Sequence, residues 1–306
     1  MADVPANVIN ELFVSKLDQP EGREKLAAEG SAFIRTKLRE VSFARKIINP
    51  VYVTKADLQR SVQHDGLVKI VDIEPDSAAM AINFRGGADT RYVEGERYEI
   101  PFFMITSEDF QKTEEELLAY EMPITDVIER NSVKDIQEIE DSAFITRVNA
   151  AIAVSGKSNV AVTTSGGYID KTVFATLFNL LEAGGGTVDR LKTEVVLMNN
   201  QDYNDLLLWE ANSVGDQVGA EITVNGYTYA TLFGKRLIVT NKADLVPAKT
   251  IYAFAAQEFL GNFFILNDTR FWIDKKKNLV TWSAYESIGM GIGNIRAVAS
   301  VTWTSA

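Results

Sequence analysis

The feature that most constrains the fold is a long amphipathic pattern at residues 132–154, SVKDIQEIEDSAFITRVNAAIAV. Apolar residues recur there at spacings of three and four: Val133, Ile136, Ile139, Ala143, Phe144, Val148, Ala151 and Ile152. This spacing predicts one helix of roughly 30 Å, long enough to be the axis of a domain. Ser132 and Asp135 resemble a capping box, which predicts that the helix begins there.

The segments before this helix have little core of their own. Residues 1 to about 55 read as an extended or loosely helical arm, in which the helical spacing of SAFIRTKLREVSFARKI ends before Pro50. Residues 58–106 read as one long β-excursion, interrupted by turn residues. A two-stranded ribbon is marginally stable alone, so it must lie on its own domain or on a neighbouring subunit. Residues 107–122 read as an acidic helix.

The region from 156 to 264 has an α/β pattern. TVFATLFNLLEAGGG predicts a helix, TEVVLMNNQDYNDLLLW a buried strand followed by a helix, and GKRLIVTNKA and TIYAFAA further strands. After it, RFWIDKKKNLVTWSAYES predicts a hairpin turning at residues 275–278, and AVASVTW a closing strand.

Composition excludes several classes of site. The chain has no cysteine and a single histidine, His64, so thiolate chemistry, disulfides and multi-histidine metal sites are excluded. No cofactor is expected. The N-terminus lacks a basic and apolar leader, and no apolar stretch reaches a membrane-spanning length, so a soluble protein of the cytoplasm is the default.

The charge is large and unevenly spread. The net charge of -11 argues against a protein that mainly grips nucleic acid. Residues 33–60 nevertheless carry seven basic and two acidic residues, whereas residues 107–142 carry twelve acidic and three basic ones. Opposed patches of this kind are either solvated faces or complementary surfaces on neighbouring copies of the chain.

The string YESIGMGIGNI places glycines at positions 289, 291 and 293. A dinucleotide fingerprint needs a following helix and an acidic residue about 20 positions later. Only 17 residues follow Gly289 and they read as a strand, so the glycines are interpreted as places of close backbone approach.

The other candidate motifs are interpreted structurally. SGKS at 155–158 lacks the first glycine of a phosphate loop, because Ala151 stands there, and is read as a surface turn. The carboxylates of residues 114–116 and of Glu138, Glu140 and Asp141 are read as solvated helix faces, and His64 as a surface or interface residue. Six aromatic residues are assigned to the core: Phe263, Phe264, Phe271, Trp272, Trp282 and Trp303.

The order of these parts resembles the major capsid proteins of tailed bacteriophages. The stretch LLAYEMPITDVIERNSVKDIQEIEDSAFITRVNAAI is similar to the helix pair that leads into the spine of that family. VLMNNQDYNDLL, LFGKRLIVTNKADLVPAKTIYAFAAQEFLGNFFIL and FWIDKKKNLVTWSAYESIGMGIGNIRAVASVTW are similar to its central strands and C-terminal return.

The resemblance implies an α+β Hong Kong 97-like fold with a long spine helix and an inserted axial domain. It assigns residues 1–57 to an N-terminal arm, 58–106 to an extended β-loop laid over a neighbour, 107–155 and 265–306 to a peripheral domain, and 156–264 to the axial α/β domain. Candidate assembly contacts are Arg35, Lys37, Arg39, Gly86, Gly87 and Gly95.

The implied function is self-assembly into an icosahedral head shell, without enzymatic activity. Hexamers and pentamers of the chain would enclose double-stranded DNA without sequence-specific binding, in a virion assembled in a bacterial cytoplasm. A separate scaffolding protein, a portal and a decoration protein are the expected partners, and no membrane is involved. The basic arm is expected to meet acidic helices of an adjoining subunit.

Some relatives join subunits through a Lys–Asn isopeptide bond promoted by a glutamate. Lys69 lies in the expected loop, and Asn278, Asn294 and Glu286 lie in the expected region, but no motif fixes any of them. Self-crosslinking is therefore not expected.

Three alternatives stay open. One keeps the fold but makes the chain an encapsulin-like nanocompartment with an enzyme as cargo. The second is a cytosolic carboxylate-dependent enzyme, which would need acids converging on one pocket. The third is another phage component, such as a tail-tube or decoration subunit, which the long helix fits poorly.

Overall fold

The structure is a computed structural model that describes residues 42–63, 65–73, 87, 90, 92, 95–119, 124–163, 167–183, 191–206 and 231–305. Its α-helices within these ranges are α1 Phe43–Ile47, α2 Glu114–Ala119, α3 Ile124–Ser155, α4 Lys171–Glu182, α5 Asn200–Asp205 and α6 Gln257–Leu260. Two short 3-10 helices, η1 Lys55–Asp57 and η2 Ile295–Ala297, accompany them. No helix in these ranges is long and apolar enough to cross a membrane.

Within the described ranges there are two sheets, and the first has seven strands. They are β1 Val51–Tyr52, β2 Gln59–Arg60, β3 Leu67–Asp72, β4 Arg97–Thr106, β5 Phe110–Thr113, β11 Gly261–Lys276 and β12 Leu279–Ile292. Their order is β1-β11-β12-β4-β3-β2, and β5 also pairs with β12. The hairpin predicted at residues 275–278 is confirmed, with Lys276 opposite Leu279 and Lys277 in the left-handed region that tight turns require.

The second sheet has six strands: β6 Ser158–Thr163, β7 Thr193–Asn199, β8 Thr231–Leu232, β9 Lys235–Thr240, β10 Thr250–Ala255 and β13 Val298–Ser305. Their order is β6-β13-β10-β7-β9-β8, and α4 packs on β13, β10 and β6. The strands predicted from the apolar runs of β7, β9 and β10 are confirmed. The closing strand β13 is also confirmed, but it pairs with β10 and β6 and so lies apart from the return strands of residues 265–292, with which it had been grouped.

Helix α3 is longer than predicted. It spans 32 residues, or about 48 Å at the usual rise per residue. The predicted start at Ser132 is wrong, because Ser132 is buried within the helix. The extension has a signal in the sequence, since Ile124, Val127 and Ile128 continue the spacing of three and four.

The segment 107–122, predicted as one acidic helix, contains a strand before its helix. Residues Phe110–Thr113 form β5, which pairs with Leu279–Trp282 of β12, and within the described part of the segment, residues 107–119, the helix is Glu114–Ala119. The partner strand lies far away in sequence, so local periodicity could not reveal the pairing. Tertiary contact decides the conformation here.

The sequence predicts an arm with little core of its own, and the structure packs the last part of the arm into the core of the rest of the chain. We call residues 42–48 the arm root. Ser42 caps α1 by accepting a hydrogen bond from the Arg45 N–H, and Phe43, Ala44, Ile47 and Ile48 are buried. The Phe43 ring meets Phe144 of α3 edge to face, with centroids 6.3 Å apart. Residues 1–41 lie outside the described part.

One continuous apolar core lies between α3, α4 and both sheets. Five of the six aromatic residues assigned to the core are buried: Phe263, Phe264, Phe271, Trp282 and Trp303. The sixth assignment is wrong, because Trp272 is 59% exposed. Exposed and buried residues alternate along this part of β11, with Phe271 and Ile273 facing the core, so Trp272 faces outward.

Candidate assembly elements and a buried charge cluster

A two-stranded ribbon extends from the seven-stranded sheet. The second half of β4 pairs with β12, from Phe102 opposite Gly289 to Thr106 opposite Tyr285. The first half of β4 pairs with β3 instead, from Arg97 opposite Asp72 to Pro101 opposite Val68. We call β3 and the first half of β4 the ribbon. Residues 74–86 of the β-excursion lie outside the described part.

The part of β4 at the base of the ribbon, residues 98–102, lies against the glycine run at residues 289–293. Side chains at every second position of β4 face two glycines of β12, Gly289 and Gly291, and Gly293 just after the strand. An added Cβ would lie 2.9 Å from Phe102 at Gly289, 3.0 Å from Ile100 at Gly291 and 2.7 Å from the Tyr98 hydroxyl at Gly293. The glycines therefore permit close approach of a neighbouring strand, as the sequence predicted.

The ribbon is incompletely covered by its own chain. Val68 and Ile100 are fully buried at its root. In contrast, Leu67 is 48% exposed and Met104 is 64% exposed, and Tyr92 in the excursion is 90% exposed. The ribbon is thus anchored at its root, and apolar side chains are exposed on the ribbon and on the described segments beside it.

The proposed contact residues of the excursion can be located only in part. Gly87 and Gly95 stand in open space, since a Cβ at either would meet no atom within 4 Å. Gly86, Arg35, Lys37, Arg39 and His64 lie outside the described residues.

Five charged residues meet below the ribbon root, and we call them the buried charge cluster: Arg45, Glu140, Asp141, Lys242 and Glu286. The Arg45 guanidinium lies between two glutamates. Its Nε donates to Glu140, with Nε 3.0 Å from Oε1, and its Nη2 donates to Glu286. The cluster therefore ties the arm root to the spine helix α3 and to β12.

Other groups complete the cluster. Lys242 Nζ lies 2.7 Å from Asp141 Oδ2, and the Ala44 N–H donates to Asp141 Oδ1 at 3.0 Å. Thr269 of β11 donates its hydroxyl to Glu286 Oε2 at 3.1 Å. A buried charge is costly unless it is paired in this way, so the cluster fixes the mutual positions of the elements that supply it.

Burial dominates the electrostatics of the glutamates. It raises the pKa of Glu140 to about 7, against the opposing effect of Arg45, and Glu286 raises that pKa further. Burial likewise raises the pKa of Glu286, and Arg45 opposes it. Burial alone would lower the pKa of Arg45, but Glu140 and Glu286 together hold it above its usual value.

The prediction that Glu138, Glu140 and Asp141 form a solvated acidic face is wrong for two of them. Glu138 is exposed, but Glu140 and Asp141 are both 0% exposed. The burial of these two carboxylates could not be predicted from local sequence because their partners are distant: Arg45 precedes Glu140 by 95 residues. Acids do converge here, but each is paired and fully buried, which is not the accessible pocket that a carboxylate-dependent enzyme needs.

The crosslink candidates do not come together within one subunit. Glu286 is buried and paired with Arg45, in the middle of β12. Asn278 and Asn294 lie beyond opposite ends of that strand, and those ends are about 23 Å and about 20 Å from Glu286 at the usual rise per residue. The Asn294 side chain caps η2 by accepting from the Arg296 N–H, and Lys69 lies opposite Ile100 in the ribbon.

The SGKS segment is a turn, as predicted, but its lysine is not on the surface. Gly156 has a φ of 69° at the turn after α3, and Lys157 is buried. Its Nζ donates to the carbonyl oxygens of Leu181 at 3.2 Å and Arg296 at 3.0 Å. The lysine thus binds the C-terminal end of α4, where a cation is favoured by the helix dipole.

Comparison with solved structures identifies the fold. No protein-family model matches the sequence, and no curated protein matches it. A structure from Microbacterium phage Oxtober96 superposes with a TM-score of 0.59 at 13% identity, covering 87% of this chain and 91% of that one. The mature capsid of bacteriophage PhiM1 gives a TM-score of 0.55 at 11% identity, covering 84% and 86%.

A third similar structure is not from a phage. The virus-like particle from Pyrococcus furiosus gives a TM-score of 0.51 at 17% identity, covering 89% of this chain and 98% of that one. Likeness at such low identities is a likeness of fold. The chain has the α+β fold of tailed-phage major capsid proteins, the Hong Kong 97-like fold.

Proposed function

We propose that this chain is the major capsid protein of a tailed double-stranded DNA bacteriophage. Copies of it would form hexamers and pentamers that close into an icosahedral shell around the genome. The protein would be made in the host cytoplasm and retained in the virion, as a structural component without catalysis. Scaffolding, portal and decoration proteins are its proposed partners.

The observation that carries the proposal is the exposed apolar surface on the ribbon and on the described segments beside it. Among the described residues, seven of the sixteen exposed large hydrophobic side chains lie between residues 51 and 104: Val51, Tyr52, Val62, Leu67, Ile73, Tyr92 and Met104. Exposed apolar surface of this kind indicates a binding surface. A neighbouring copy that covers the ribbon would repeat the contact until symmetry closes the assembly.

The domain assignment of such a subunit follows the two sheets. We propose that the spine helix α3 and the seven-stranded sheet form the peripheral domain, with the ribbon as its extended loop. The six-stranded sheet, with α4, would form the axial domain. Strand β13 then belongs to the axial domain, although it follows the return strands in the chain.

The proposal is tested by electron microscopy of the full chain. We expect closed shells when it is produced at high concentration, or when it is co-expressed with the genes that flank it in its genome. Subunits that stay monomeric under both conditions would refute the proposal. As a control, residues 74–95 are replaced by an Asn-Gly turn, which should leave a subunit with unchanged circular dichroism that forms no shells.

A nanocompartment shell is the second candidate, favoured by the coverage of almost the whole Pyrococcus furiosus subunit. The two candidates differ in contents. Particles purified from the natural source would contain DNA and a portal vertex in the first case, and a packaged protein without DNA in the second. Nuclease-protected DNA inside the particles would exclude the nanocompartment.

A further inference from the structure

The buried charge cluster holds more negative than positive charge if every member is ionised. Two cations, Arg45 and Lys242, face three carboxylates, Glu140, Asp141 and Glu286. All three carboxylate side chains are 0% exposed. Lys242 is close to Asp141, so the surplus falls on the two glutamates that share Arg45. One uncompensated charge in such a buried site strongly destabilises the folded state.

The hydrogen bonds of Ser42 show where this surplus charge is neutralised. Its Oγ lies 3.0 Å from Glu140 Oε1 and 2.9 Å from Asp141 Oδ1. A hydroxyl group has a single hydrogen, so it cannot donate to both carboxylates at once. The conflict disappears if Glu140 Oε1 carries a proton and donates it to Ser42 Oγ, while Ser42 donates to Asp141. Glu140 Oε2, 3.1 Å from Arg45 Nε, then still accepts from Arg45.

We propose that Glu140 holds a proton between its Oε1 and Ser42 Oγ, and that this proton makes the attachment of the arm root to the spine helix dependent on pH. With the proton in place, the five residues of the cluster balance in charge, and Ser42 and Glu140 are both satisfied. Without it, two ionised glutamates compete for one guanidinium, and Ser42 loses a donor. The arm root is then held less firmly.

The pH range follows from the linkage between protonation and opening. Burial raises the pKa of Glu140 from its usual value of 4.5 to about 7 in the closed cluster. The stabilisation is therefore complete below about pH 4.5, is lost as the pH rises, and is gone above about pH 7. The arm root is firmest at acid pH and loosens toward neutrality.

Every charged group near Glu140 in the described part is accounted for in this prediction. Arg45 comes from α1, Asp141 from α3, Lys242 from the loop after β9, and Glu286 from β12. Asp268 of β11 adds negative charge beside Arg45 and Glu286. It accepts a hydrogen bond from the Tyr52 hydroxyl at 3.1 Å. This further negative charge raises the pKa of Glu286 and adds to the surplus of negative charge around Arg45.

The test measures hydrogen exchange of the arm root in the full chain, corrected for the intrinsic effect of pH. Between about pH 5 and pH 7 the protection of residues 43–48 should fall by up to about tenfold per pH unit, and then level off. In Glu140→Gln, a neutral side chain that can still donate to Ser42, protection should stay independent of pH. Equal pH dependence in wild type and Glu140→Gln would overturn the proposal, and so would a flat wild-type profile.

A second measurement detects the proton in the wild type and uses two conservative variants to assign it to one glutamate. Infrared spectra of the full-length wild type at mildly acid pH, after carboxyl labelling of glutamate, should show the carbonyl band of a buried protonated glutamic acid. The band should disappear above neutral pH and be absent from Glu140→Gln. A band that persists in Glu140→Gln and is lost in Glu286→Gln would place the proton on Glu286 and refute the assignment.

Discussion

Ile100 of the ribbon lies directly on Gly291 of β12, with its Cγ1 atom 3.0 Å from the point where a Cβ of residue 291 would stand. The contact belongs to a series in which Tyr98 and Phe102 lie on Gly293 and Gly289 in the same way. Because the ribbon leaves the sheet at this point, the three contacts set the direction in which it extends. The glycine run is therefore part of the ribbon anchor.

Replacing Gly291 by valine should destabilise the subunit. The new side chain would have to displace Ile100, which is fully buried, and inserting methyl groups into a packed core costs about 1–3 kcal/mol. Thermal or chemical denaturation of Gly291→Val measures the cost. The matched control is Gly95→Ala, whose Cβ meets no atom within 4 Å and which should leave the free energy of unfolding unchanged. Equal stability of the two variants would show that the close approach does not constrain the ribbon.

Removing the guanidinium of Arg45 should be among the most damaging single changes. Arg45→Met leaves Glu140 and Glu286 buried without a cation, and breaking a buried pair from one side costs about 3–5 kcal/mol. Urea denaturation measures the loss. Arg60→Met removes an arginine whose ion pair with Asp65 is exposed, so its stability should match the wild type. A loss in Arg45→Met no larger than in Arg60→Met would contradict the structural role of the cluster.

The elements that the sequence predicted correctly are those defined by local sequence, and the features that it missed depend on distant partners. The sequence predicted the strands β7, β9, β10 and β13 and the β11–β12 hairpin, because runs of apolar residues and a turn define them locally. It did not predict β5 or the burial of Glu140 and Asp141. These depend on partners far away in the chain, 95 residues in the case of Arg45 and Glu140, and no local period reports them.

The glycine run shows how far sequence reasoning reaches into the candidate site. The strand-like pattern that follows the glycines, in place of a helix, was enough to reject a phosphate loop and to predict close backbone approach. They could not say what approaches, because Tyr98, Ile100 and Phe102 are separated from the glycines by the whole axial region. Basic character in the arm was also visible, whereas the burial of Arg45 was not.

The buried lysine of the SGKS segment, Lys157, should stabilise the C-terminal end of α4. Lys157→Met should lower the free energy of unfolding by about 1.5–3 kcal/mol, because the buried carbonyl oxygens of Leu181 and Arg296 lose a charged donor. Chemical denaturation provides the measurement. Lys192→Met, at an exposed lysine just before β7, should have no effect. If Lys157→Met were as stable as Lys192→Met, the lysine would not support the end of α4.

Truncation of two tryptophans on neighbouring strands should change the stability of the subunit to very different extents. Trp282 of β12 is 0% exposed, and Trp282→Ala should cost about 3–5 kcal/mol because it opens a cavity in the core. Trp272 of β11 is 59% exposed, so Trp272→Ala should leave the unfolding midpoint of the isolated subunit nearly unchanged. Equal losses in the two variants would contradict the outward direction of Trp272.

Reversal of the arm charges tests assembly separately from folding. Changing Arg35, Lys37 and Arg39 together to glutamate should abolish shells, because the basic arm would then repel the acidic helices of an adjoining subunit. Exposed acids such as Glu115, Glu116 and Glu138 are available for that contact.

The control for this reversal keeps the charge. Exchanging each arm residue for the other basic type, Arg35→Lys, Lys37→Arg and Arg39→Lys, should allow shells at normal yield. Sedimentation and electron microscopy measure the yield, and circular dichroism shows whether the subunits are folded. Because the arm root is held by its own buried cluster, the reversed variant should fold normally and fail only in assembly. Normal shells from the reversed variant would show that the arm contributes no electrostatic contact between subunits.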